Sequence, residues 1–241
     1  RCAHVLMAIA IRGTTPGTTS GTSDPTSLVL NGTRQPNAND VLIIIHGNDF
    51  FNMADLPTPT VAGSTTGVTA ITNGSADAGA NSAHVKSWYY VVGSTGDLTV
   101  AVDETGSAGA EEKVLVGYVL SGVDTGTPID VAGNNTGTGT PCVCPSVSPT
   151  SSDAFLICHV NEGTGANNAP FTSPGSMTEQ YDIAVAAAMG TVGATEQLSA
   201  SGATGTRTFT PAGSSAAFVL LSIAVKTAAA GGGPTLAPRA V

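Results

Sequence analysis

Short apolar runs, closed again and again by clusters of Gly, Thr, Ser, Asn and Pro, leave this chain few ways to fold. They fall at 4–11, 27–30, 41–46, 67–72, 85–92, 98–103, 114–123, 142–147, 154–161, 181–189, 207–210 and 216–227. Many short strands separated by turn chemistry predict a β-sandwich or barrel. The period agrees. Leu98, Val100 and Val102 point one way and Thr99 and Ala101 the other, as on a half-buried strand. In 114–120 and 216–225 both faces are apolar, so these strands belong in sheet centres, covered on both sides. Asn31-Gly32 and Asn73-Gly74 have the dipeptide that type I′ hairpin turns demand. The segment 183–189 is Ala-rich and could form a short helix closed by Gly190, but its β neighbours favour a strand. The expectation is an all-β, jelly-roll-like antiparallel β-sandwich. It has one domain over 1–227 with a loop seam near 136–150, no internal repeat, and a Gly/Pro-rich tail at 228–241.

Composition narrows function by exclusion. Only 10% of the 241 residues are charged, and 8 basic against 17 acidic residues give a net charge of −9. A phosphate backbone would be repelled, so nucleic acid is not an expected partner. The longest apolar stretch, 216–225, is about half of the ~20 residues that a membrane span needs, so no membrane partner is expected either. The start of the chain resembles a secretory leader for a few residues, but Arg12 follows directly and no small-residue cleavage site appears. A first strand is expected there.

Chemistry is sparse. The run 41–46 ends in His46-Gly47, like the oxyanion-hole segment of an α/β-hydrolase, yet no G-x-S-x-G elbow occurs and strand–helix alternation is missing. His4, His46, His84 and His159 lack metal-ligand spacing. Cys142-Val143-Cys144 with Cys158-His159 is the one soft-ligand grouping conceivable; core thiols are the ordinary alternative, and a Cys144–Cys158 bridge stays open. Scattered acids such as Asp97, Asp124 and Asp130 suit turn capping more than calcium or paired acid–base work. The Asn31, Asn73 and Asn134 sequons partly coincide with the Asn-Gly turns. No catalytic residue, metal or cofactor is assigned, and the chain is not expected to be an enzyme. The aromatics Phe50, Phe51 and Trp88 are the interface or ligand candidates.

Three segments carry a resemblance. They are Ser87-Trp88-Tyr89-Tyr90-Val91-Val92, then Gly96-Asp97-Leu98-Thr99-Val100, then 116–130 with its Leu120-Ser121-Gly122-Val123-Asp124-Thr125 run. Together they are similar to a β-sandwich module of virion surface proteins in tailed bacteriophages and prophages. The likeness covers about 41–131; the N-terminal strand and 142–145 have no counterpart in it. It implies a structural virion role, as capsid decoration (cement) or minor tail protein, with no catalytic residues to carry over. The implied partners are other virion proteins and further copies of the chain, and the implied location is the virion, after synthesis in the bacterial cytoplasm. A carbohydrate- or receptor-binding adhesin module is the alternative.

Overall fold

The computed structural model describes residues 8–12, 17–21, 26–49, 56–79, 83–104, 112–163, 169–185, 189–213 and 217–229. The strands are β1 (Ala10–Ile11), β2 (Gly17–Gly21), β3 (Thr26–Leu30), β4 (Val41–Asn48), β5 (Thr60–Val61), β6 (Thr69–Asp77), β7 (His84–Val91), β8 (Leu98–Val102) and β9 (Lys113–Ser121). They continue as β10 (Ile129–Thr138), β11 (Cys142–Cys144), β12 (Phe155–Gly163), β13 (Phe171–Thr172), β14 (Thr178–Val185), β15 (Met189–Gln197), β16 (Arg207–Pro211) and β17 (Ala217–Val225). The fold is all-β and antiparallel, with no α-helix among the described residues.

Four sheets form. One runs β1-β9-β4-β7-β6, with β2 also on β9, and β3-β8-β5 covers it. Another runs β10-β17-β12-β15-β14, and β11-β16-β13 covers it. The two orders correspond strand for strand: β3 to β11, β4 to β12, and so on to β9 and β17. Each set winds as a jelly roll, except that β6 and β14 have crossed from the small sheet to the edge of the large one. The described strands therefore repeat one topology, a repeat absent from the sequence, as two sandwiches stacked in four layers.

Three cores fill the gaps between layers. Leu28, Leu30, Leu42, Ile44, Trp88, Val100 and Leu115 lie between the first large sheet and its cover. Cys144, Leu156, Cys158, Phe171, Phe209 and Leu220 do the same in the second sandwich. The third core joins the large sheets: Ile43, Ile45, Val116 and Tyr118 meet Ile157, Tyr181, Leu221 and Ile223. This explains why β9 and β17 are apolar on both faces: each serves two cores at once. The arrangement is close to twofold. Gly47 and Asn161 hold equivalent places and face each other; a Cβ on Gly47 would come 2.8 Å from the Asn161 side chain, so only glycine fits. We regard the shared core as welding both jelly rolls into one folding unit.

The chain passes between sandwiches at 122–128; the stretch 136–150 carries it from β10 in one sheet to β11 in another. Asp124 caps this crossover. Its carboxylate accepts from Gly126 N at 2.9 Å and Thr127 Oγ1 at 3.0 Å, and it pairs with Lys226 at 3.2 Å. Thr227 returns alongside as a bridge to Val123.

Neither Asn-Gly dipeptide makes a hairpin. Gly32–Arg34 is a 3-10 turn that carries the chain from one sheet to another. Asn73, at φ 59°, lies inside β6, where the register with β7 slips between Ala70 and Ser75. A left-handed residue there makes a bulge, not a reversal. The run expected at 181–189 is the end of β14 and the start of β15; residues 186–188 lie outside the described ones.

Candidate functional site

Of the three aromatic candidates, Phe50 and Phe51 lie outside the described residues. Trp88 is fully buried in the first outer core, with Lys86 Nζ 5.7 Å from its ring centroid. Its strand neighbour Tyr89 faces the opposite way and is half-buried. Cys142, Cys144 and Cys158 are buried free thiols, so no Cys144–Cys158 bridge is present. Desolvation, then the nearby Glu162 charge, pushes the Cys142 thiol up to about 12, which keeps it protonated and inert. Asp130 behaves as a turn cap, accepting from Thr150 and Ser151 at 2.8 to 3.1 Å.

The stacking of the large sheets opens a groove at each side. One, of about 350 Å³, lies between the β6 edge and β10 and is lined by Thr69, Ile71, Asn73, Tyr89, Ile129 and Asp130. Asn134 Nδ2 donates to Asn73 O at 3.0 Å, tying the two sheet edges together. The other, of about 490 Å³, is its counterpart between β14 and β1, lined by Ile11, Phe155, Thr178, Gln180, Thr195 and Gln197. Ile11 and Ile129 occupy matching places in the two. Each groove has an apolar floor and a mostly uncharged polar rim with one carboxylate, Asp130 in the first and Glu196 in the second, which suits docking of a polar surface.

Polar groups are also buried. Between the large sheets, His159 Nδ1 and Tyr181 Oη are 2.6 Å apart, and the Tyr118 ring lies 6.2 Å from that of Tyr181. Asn161 Nδ2 donates to Asn48 O and His84 O, both at 3.2 Å, so one side chain binds two strands of the facing sheet. Burial lowers His159 to about 3, so it is neutral at pH 7. His84, 3.1 Å from Asp77, is also lowered, because desolvation outweighs that charge.

The second buried group sits at one end of the first sandwich. Glu104 Oε2 lies 3.0 Å from Lys113 Nζ. Asn48 Nδ2 donates to Glu104 Oε1 at 3.2 Å, and His46 Nδ1 is 3.4 Å from that oxygen. Desolvation and then the Lys113 charge lower His46 to about 3. The sequence sets His46 apart only by a hydrolase-like strand end; its neighbours are a lysine and a glutamate. Sequence reasoning missed this cluster because its members lie on three segments that only the sandwich brings together. The one available signal was Lys113 opening a strand apolar on both faces.

Comparison of the chain with protein-family models, with curated proteins and with solved structures finds no match.

Proposed function

We propose that the chain is a structural component of a tailed-phage particle, a capsid decoration or minor tail protein. It works by docking against neighbouring virion subunits and copies of itself, without catalysing a reaction on a substrate. The observation that carries this reading is the polar composition of the strands at the sheet edges. The large sheets end in β6, β10 and β14, which flank the two grooves; β6 and β10 are rich in Thr, Asn and Gly, and β14 opens with Thr178, Glu179 and Gln180. Such edges present unpaired backbone groups, and subunits can join there without ionic steering. The resemblance to phage surface modules supports the same reading, and its Gly122–Pro128 stretch is the capped crossover between the sandwiches. Purified particles from the source of this chain test it. Mass spectrometry should detect the chain in stoichiometric amount, and imaging should place copies over the shell or along the tail. Particles that lack it would refute the proposal.

A second reading, a carbohydrate-binding adhesin module, is favoured by one feature. Tyr89 is a half-exposed aromatic in a groove rimmed by Thr69, Thr72, Asn73 and Asp130, a combination able to stack on a sugar and bond its hydroxyls. Binding on a glycan array, lost in Tyr89→Ala, would support it; an array without signal would remove it.

A further inference from the structure

The buried cluster in the first sandwich holds the three groups needed to form a covalent bond within the chain. Asn48 and Lys113 are direct partners across β4 and β9, so their side chains share one face of the sheet. The Glu104 carboxylate spans them, 3.0 Å from the Lys113 amine and 3.2 Å from the Asn48 amide nitrogen. All three are buried, at 1%, 6% and 0% exposure for Lys113, Glu104 and Asn48. The Asn48 amide oxygen has no partner among the described residues. That orphaned oxygen is the atom whose polarisation would make the amide carbon electrophilic.

In water a lysine is protonated and an amide is inert. The buried contact supplies both needs: as the reaction starts, Lys113 Nζ hands one proton to the Glu104 carboxylate 3.0 Å away. The fixed geometry replaces an improbable encounter with a held one. We propose that Lys113 and Asn48 join in an isopeptide bond, with Glu104 as the catalytic proton carrier.

Protonated Glu104 hydrogen-bonds the amide oxygen once the Asn48 amide turns over. The Lys113 Nζ lone pair then attacks Asn48 Cγ, forming the Nζ–Cγ bond. One Nζ proton travels through Glu104 to Nδ2, the Cγ–Nδ2 bond breaks, and Nδ2 leaves as ammonia. An amide and ammonia replace an amine and an amide, so no oxidant or cofactor is involved.

The fold itself does not require this cluster. The matching cross-strand pair in the second sandwich is Glu162 with Phe218, with no lysine. The bond would tie two central strands of one large sheet, and the inference does not depend on the virion reading.

The test uses the full chain, purified and denatured. Its intact mass should fall about 17 Da below the sequence mass, the mass of one ammonia. Proteolysis should release a branched peptide pair joining residue 48 to residue 113. The branched pair decides, because Asn-Gly sites can also lose ammonia. Glu104→Gln, which preserves shape, should restore the full mass, and so should Lys113→Arg. Should either variant fail to fold, the wild-type digest still decides: separate, unlinked peptides containing Asn48 and Lys113 would overturn the proposal.

Discussion

In the first sandwich, the residues paired near one end of the large sheet are Asn48 and Lys113, set beside a buried glutamate; in the second, the same place holds Glu162 against Phe218. The first outer core is built on Trp88 and aliphatic side chains, the second on three thiols and several phenylalanines. The winding is nonetheless the same. A jelly roll needs alternation and burial at the right positions, not particular residues, so the two halves can diverge in buried chemistry while keeping one topology.

The sharpest way to break this contrast is Lys113→Met. It leaves Glu104 buried without its cation and should cost about 3–5 kcal/mol in chemical denaturation. Phe218→Leu at the matching place, a change between apolar side chains, should cost only about 1 kcal/mol. Equal losses would mean that the two ends are energetically alike.

Acid should act next. His159 is held neutral at a value of about 3 when folded, against 6.5 when exposed. Below pH 6.5 the unfolded chain takes up the proton and the folded chain does not, so stability is full above that value and lost as pH falls. His46 acts in the same sense. Asp49 opposes them: desolvation, then Glu112, raises it to about 6, so its contribution is lost as pH rises from 3.8 through that value. Between pH 6.5 and about 4.5, one buried histidine accounts for about 2 kcal/mol. His159→Gln should flatten the fall in melting temperature by that share; an unchanged pH profile would show that His159 does not titrate this way.

Tyr181→Phe removes the partner of His159 in the seam between sandwiches. The expected loss is about 1–2 kcal/mol, read by urea unfolding. Asp124→Ala strips a partly exposed cap from the crossover. It should cost about 1 kcal/mol or less, a small drop in thermal midpoint.

Much of the sheet structure was legible because burial leaves a period in the sequence. Leu98–Val102 alternates and is a half-buried strand; β9 and β17 are mostly apolar on both faces and are central. Edge strands leave no such trace. β10 contains Gly133-Asn134-Asn135-Thr136-Gly137, a turn-like composition, because its backbone needs only the β17 ladder and its side chains face water. The repeat was hidden for a related reason. Matching positions carry different residues, and their spacing changes from strand to strand. The candidate site was the least legible part. Glu104, Asn48 and Lys113 are distant in sequence and ordinary one at a time, and the tyrosine in the groove is the one beside the tryptophan that was singled out.

The shared core between the large sheets is tested most directly by amide hydrogen exchange across a denaturant series. If that core welds the sandwiches, the slowest amides of β4, β9, β12 and β17 will exchange through one common opening and converge on a single free energy. Should β12 and β17 open in a separate, less stable step while β4 and β9 stay protected, the two jelly rolls are independent units and the account fails.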